Sequence, residues 1–229
     1  MRLAIAVMAR APIPGRCKTR LLAHHPAEWV AELQRAMLED TLARLAALPA
    51  AVRIVFVAPS EGHDVQELVR PSLPRGWTTA LQKGEDLGAR LSHAMRELFA
   101  TDAGARAVIV GTDCPHLPLF DPTLEEDVLV GPADDGGYYL VAPRVAESRL
   151  FHDVAWSTSH VLTQTLRRCA ELGLSVRELS RSYDVDEPAD LERLAVALRD
   201  APELAPRTAR VLALREDHFG PRYLSTSGP

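Results

Sequence analysis

Asp113, Asp184 and Asp186 are the side chains whose types and spacing point most directly to chemistry. Asp113 follows an apolar run, Ala107, Val108, Ile109 and Val110, and a break at Gly111. That is the pattern of a buried parallel strand delivering a carboxylate at its end, and in open α/β sheets ligands sit at such ends. Asp184 and Asp186 come about seventy residues later. Their alternation around Val185 on extended backbone turns both carboxylates one way and Val185 toward the core. Where the two segments meet, three carboxylates converge and a cation must offset their repulsion. Hard oxygen donors suit Mg²⁺ or Mn²⁺, and Mg²⁺ usually accompanies phosphate, so phosphate handling is the expected chemistry. Asp190, inside the following helix, reads as a cap or surface residue.

A second constellation leaves the first strand. Between Ala9 and Arg20 the chain gathers Arg10, Arg16, Lys18 and Arg20, with Thr19 among them and with Pro12, Pro14 and Gly15 shaping the turn. Cations held in place lose less entropy when they clamp an anion, so this loop is expected to grip a polyphosphate. It lacks the GxxxxGK[ST] spacing of a P-loop. Gln82 leads through a glycine-containing turn into a helix, where an amide and the backbone at Gly88 could read a base edge. Asp86 is expected to cap that helix. The loop of Asp134, Asp135, Gly136 and Gly137 suits either an acceptor site, with Asp135 as base, or an ordinary turn. Trp156, Ser157 and Thr158 suit either an acceptor wall with hydroxyl donors or, for Trp156, plain core. His116 is the histidine closest to the Asp113 loop. Cys17 and Cys114 flank the two ligand loops, where a nucleophilic role is conceivable.

The elements that must position these groups alternate. Strands are expected at 3–8, 52–58, 78–82, 107–110, 128–131, 138–141 and 175–179. Helices are expected at 26–48, 64–70, 87–99, 161–172 and 188–199. Alternation implies an α/β domain with a mainly parallel sheet, right-handed crossovers and helices on both faces. The 229 residues carry no linker, so one domain is expected over residues 1–200, with 201–229 as a weakly patterned tail, loosely docked or disordered. A net charge of -5, from 26 basic and 31 acidic residues, argues against a nucleic-acid or membrane partner. Three scattered cysteines support neither a disulfide framework nor a zinc site, which favours a reducing cytoplasm.

Taken together, PIPGRCKTRL (12–21), Gln82 with DLGAR (86–90), GTDCP (111–115), GPADDGGYYL (131–140), Trp156 with Ser157 and Thr158, and YDVD (183–186) resemble a bacterial family of the nucleotide-diphospho-sugar transferase, or GT-A, superfamily. This is the radical-SAM-associated glycosyltransferase family, of the domain-of-unknown-function 2064 type. The resemblance covers about residues 1–200 and is distantly shared with phospholactate guanylyltransferases. It implies a single Rossmann-like GT-A domain and a divalent metal, Mg²⁺ or Mn²⁺, on Asp113 with Asp184 or Asp186. Nucleotide contacts are then implied from Ala9, Arg10, Gly15, Arg16, Lys18, Thr19, Arg20, Gln82, Gly88 and Thr112. Asp113, Asp135 and Lys18 take the catalytic roles, and Asp134, Gly136, Gly137, Trp156, Ser157 and Thr158 the acceptor side. The expected partners are a nucleotide or nucleotide-sugar donor and a small-molecule acceptor, bound by a monomer or homodimer. Glycosyl transfer leads; nucleotidyl transfer with pyrophosphate release, and nucleotide binding without turnover, are the alternatives. One departure is the segment from Pro115 to Val128, where relatives carry a fuller crossover helix.

Overall fold

A computed structural model describes residues 2–219, with side chains described as far as Leu214. Seven strands form one sheet: β1 (Arg2–Ala9), β2 (Ala50–Val57), β3 (Thr78–Leu81), β4 (Ala105–Gly111), β5 (Val128–Pro132), β6 (Tyr138–Pro143) and β7 (Val176–Glu178), in the order β3-β2-β1-β4-β6-β5-β7. All pairings are parallel except those of β6, which runs antiparallel to both β4 and β5. The reversal is forced by the short 132–137 turn, since a few residues can make a hairpin but never a parallel crossover.

Side-chain alternation along β1 divides the interior. Leu3, Ile5 and Val7 face one layer with Leu38, Leu42 and Leu45 of helix α1 (Ala27–Ala46) and Val65 and Val69 of α2 (Val65–Val69). Ala4 and Ala6 face the other, with Leu91, Met95 and Leu98 of α3 (Leu87–Thr101) and Leu162 and Cys169 of α4 (Val161–Glu171). The small alanines admit the helix closely on that side. A third cluster lies outside the sheet, where Val30, Leu33 and Met37 on the far side of α1 meet Leu191, Leu194 and Leu198 of α5 (Pro188–Asp200) and Val211 and Leu212 of α6 (Pro206–Phe219). Helix α1 is therefore buried on two sides.

The C-terminal segment departs from the expected loose tail. Helix α6 is docked on α1 through its first turn, where the buried carboxylate of Asp40 accepts from the amides of Arg207 (3.1 Å) and Thr208 (2.8 Å). That satisfies donors every helix start leaves free. The remainder of the expected tail, 220–229, lies outside the described residues.

The segment between Pro115 and Val128 forms turns rather than a crossover helix. Arg106, 1% exposed within β4, donates to the carbonyls of Leu124 (2.5 Å), Glu126 (2.9 Å) and Ala142 (2.8 Å). One guanidinium supplies the bonds that an irregular, half-buried backbone would otherwise lack. Among the described residues no helix is long and apolar enough to cross a membrane.

Candidate functional site

The C-terminal ends of β1, β2 and β4 open onto a cavity of about 320 Å³. Its acidic end is built where Asp113, just past β4, meets the extended segment before α5. The Val185 amide donates to the Asp113 carbonyl at 2.8 Å, and Val185 itself is fully buried. Asp190 steadies that segment by accepting from the amides of Asp186 (3.2 Å) and Glu187 (2.9 Å), in a capping box at the start of α5. Asp113, Asp184 and Asp186 thus line one cavity, as the spacing of their segments anticipates.

Lys18 reaches into the middle of this group. Its side chain is 2% exposed, and Nζ lies 2.6 Å from Asp113 Oδ1, 2.5 Å from the Val185 carbonyl and 3.6 Å from Asp186 Oδ1. Its backbone is left-handed (φ 43, ψ 50), a conformation rare for a residue with a side chain. Burial acts to strip the proton from Lys18, but Asp113, Asp186 and Asp184 outweigh it and hold the ammonium above its ordinary pKa. Burial, then the charges of Asp113, Asp135 and Asp186, push Asp184 up to about 7. Asp186 is raised by burial and Asp113, against the pull of Lys18 and Arg20. The carboxylates outnumber the one ammonium set among them. Among the described residues no three His, Cys, Asp or Glu side chains are arranged to hold a metal ion. The donor set itself, all hard oxygens with negative charge to spare, fits Mg²⁺ or Mn²⁺ chemically.

The same cavity is also lined by Gln82, by the apolar Leu87 and Leu91, and by the cationic Arg90 beside them. The Gln82 Nε2 donates to two carbonyls, Ala9 (3.2 Å) and Phe56 (2.9 Å). Only an NH₂ can face two carbonyls, so the amide orientation is fixed and Oε1 is left as the acceptor. Gln34 from α1, which sequence reasoning missed, also lines the cavity and donates to the Thr112 hydroxyl at 3.2 Å. A glutamine set among the apolar positions Val30, Leu33, Met37 and Leu38 of α1 was the available signal. Tyr138, Tyr139 and Arg90 line the cavity too and were not anticipated.

Other expected groups are placed differently. Arg10 lines the cavity with Ala9 and Thr112, whereas Gly15, Arg16, Thr19 and Arg20 do not, and Arg20 pairs with Glu187 at 3.2 Å. Gly88 faces the Trp156 ring: a Cβ there would meet the indole Nε1 at 2.4 Å, so its missing side chain serves packing. Asp86 caps α3 through the Ala89 amide at 2.8 Å. Asp134 pairs with Arg193 at 2.7 Å, and Asp135 accepts from the Gly137 amide at 2.8 Å. Gly136 (φ 88) abuts the Ser159 carbonyl and joins the 132–137 turn to the loop before α4. In that loop Ser157 is left-handed (φ 63), and Thr158 donates to the Ala155 carbonyl at 2.7 Å. None of Asp134, Asp135, Gly136, Gly137, Trp156, Ser157 or Thr158 lines the cavity of the carboxylates.

The cysteines do not present nucleophiles. Cys17 and Cys114 are each 1% exposed, and burial raises both thiols, that of Cys114 to about 12. Cys114 instead meets Ser182 (3.2 Å), which meets His116 Nε2 (3.2 Å). Burial, with Arg193 and Arg44, pushes His116 down to about 4, so it is neutral at pH 7.

Residues 41–158 match the family described as an uncharacterized protein conserved in bacteria (DUF2064). A solved protein from Desulfovibrio desulfuricans G20, provisionally described as a nucleotide-diphospho-sugar transferase, is 30% identical with a TM-score of 0.83, covering 97% of this chain and 99% of its own. A cytidylyltransferase from Leptospira borgpetersenii serovar Hardjo-bovis (strain JB197) shares the fold at 13% identity and TM-score 0.53, covering 100% of this chain and 99% of its own. A 4-diphosphocytidyl-2C-methyl-D-erythritol synthase shares it at 11% and 0.54, over 86% and 98%. No curated protein sequence matches significantly.

Proposed function

Because this chain belongs to the bacterial DUF2064 family and its cavity combines a carboxylate cluster with Gln82, apolar side chains and two arginines, we propose that it transfers a group from a nucleotide-activated donor. The donor we propose is a nucleoside-diphosphate sugar, and the acceptor a small molecule. The observation that carries this reading is the mixed lining of one cavity, where Asp113, Asp184, Asp186 and Lys18 share the walls with Gln82, Leu87, Leu91 and Arg90. It suits a ligand with a flat, partly apolar base and a charged diphosphate. The description of the Desulfovibrio protein supports the same class.

In this proposal Asp113, with Asp184 or Asp186, holds a divalent cation, Mg²⁺ or Mn²⁺, which when bound offsets the charge of the diphosphate. Gln82 Oε1 accepts from a base N–H. Arg10 and Lys18 place fixed positive charge beside the leaving diphosphate, in a site partly closed to water, where such charge counts for most. Asp135, outside the cavity lining but near enough to raise the Asp184 pKa, takes the acceptor proton. Arg16 and Arg20, outside the cavity, meet the donor only after the loop rearranges.

The test is a panel of nucleotide sugars and nucleoside triphosphates, each with and without Mg²⁺ or Mn²⁺, scored first by thermal shift and then by product. A ligand at a hundred times its Kd stabilises the fold by about 2.7 kcal/mol. The expected result is a metal-dependent shift largest for one nucleotide sugar, followed by release of its nucleoside diphosphate. Pyrophosphate released from a triphosphate would overturn glycosyl transfer in favour of nucleotidyl transfer.

A further inference from the structure

We infer that Lys18 is the resident counter-ion of the carboxylate cluster, and that its ammonium and a divalent metal are alternative occupants of the same oxygens. The inference rests on the transferase reading for the presence of a metal, and on the position of Lys18 for everything else. Three oxygens surround Nζ: Asp113 Oδ1 at 2.6 Å, the Val185 carbonyl at 2.5 Å and Asp186 Oδ1 at 3.6 Å. The first two accept hydrogen bonds from the ammonium, and the third forms an ion pair with it. Two carboxylates and a carbonyl are also what a hard divalent cation takes from a protein. With its side chain 2% exposed, Lys18 has almost no contact with solvent.

A divalent ion bound to Asp113 and Asp186, whose side chains are 42% and 50% exposed, would face the buried Lys18 charge across a few ångströms. Metal alone must therefore drive Lys18 off its carboxylates or stay out. A nucleotide changes this balance, because its phosphates bring negative charge for Lys18 to turn to. Metal entry is then tied to nucleotide entry, and Lys18 passes from the carboxylates to the phosphates as the metal takes its place. The backbone at Lys18 is left-handed (φ 43), a conformation that costs a residue with a side chain some strain.

The experiment is a titration of the full chain with Mn²⁺ alone, followed by electron paramagnetic resonance, for the wild type and Lys18→Met, with melting curves with and without Mg²⁺. The wild type is expected to bind Mn²⁺ weakly. Lys18→Met is expected to bind one ion at least about tenfold more tightly and to gain melting temperature with Mg²⁺ where the wild type does not. If Lys18→Met folds only when Mg²⁺ is present, the exchange is equally supported. Equal Mn²⁺ affinity in the two chains would overturn it, as would a variant that Mg²⁺ fails to restore. Absence of any nucleotide-induced stabilisation of the wild type sinks the transferase reading instead and leaves the metal-alone comparison decisive.

Discussion

At the residue scale, Asp113 links the site twice over: its carboxylate takes Lys18, and its carbonyl takes the Val185 amide. Asp113→Ala removes the first and keeps the second, so the backbone link between β4 and the Asp184 segment survives. Turnover with the best donor is expected to fall by orders of magnitude, roughly 100-fold or more, while folding persists. A loss of only a few-fold in steady-state rate would remove Asp113 from the centre of the chemistry. His116 gives a different measurement. Its pKa falls from 6.5 to about 4 on folding, chiefly through burial. A base whose folded pKa is depressed contributes stability that is fully present above its unfolded pKa and is lost as pH falls toward the folded value. The wild type should therefore lose up to ~3 kcal/mol more than His116→Gln between about pH 6.5 and pH 4. Parallel stability profiles in urea across that window would show that His116 is not held neutral.

At the element scale, the sheet and its helices were largely legible, because strands buried on both faces and helices with one apolar stripe leave strong periodic signals. Val108, Ile109 and Val110 marked β4 this way. Arg106, in the same strand, interrupts the apolar pattern; its place inside β4 depends on carbonyls of residues 124, 126 and 142, which nothing local in sequence announces. The same long-range arrangement explains how the protein manages with turns between Pro115 and Val128. Arg106→Met removes three buried donors and leaves their carbonyls unpaired, which should cost roughly 3–5 kcal/mol. For a chain of this size that is a fall in Tm of about 10 °C. A melting curve displaced by only a degree or two would show that the turns find other partners. Gly88 makes the complementary case. Its type was legible, but the reason for it, the Trp156 ring against its Cα, depends on the loop before α4. Gly88→Ala should displace the indole and shift tryptophan emission.

At the scale of the whole molecule, the site is assembled by the two places where the sheet's C-terminal edge meets the chain's later segments. Asp113, Asp184 and Asp186 were legible as partners because an apolar strand and an Asp-Val-Asp alternation both announce where their carboxylates point. Lys18's insertion between them was not, since a cation in a basic loop carries no sequence mark of which way it turns. Nor was the role of the C-terminal segment, whose apolar residues are too few for a clear stripe and become meaningful only against α1. With one side of α1 on the sheet and the other under α5 and α6, the helix that carries Gln34 to the cavity depends on both covers. Truncation after Asp200 would expose the far side of α1, leave the buried Asp40 without the two amides it caps, and uncover the surface that Val211 and Leu212 bury. At about 1.5–3 kcal/mol for each large apolar side chain buried, with about 1 kcal/mol for the cap, the loss should be several kcal/mol. The truncated chain is therefore expected to melt well below the full one and to expose α1 amides to hydrogen exchange. Equal melting temperatures would make residues 1–200 self-sufficient and α6 an appendage, whereas loss of nucleotide-induced stabilisation along with Tm would show that the outer helices support the cavity through α1.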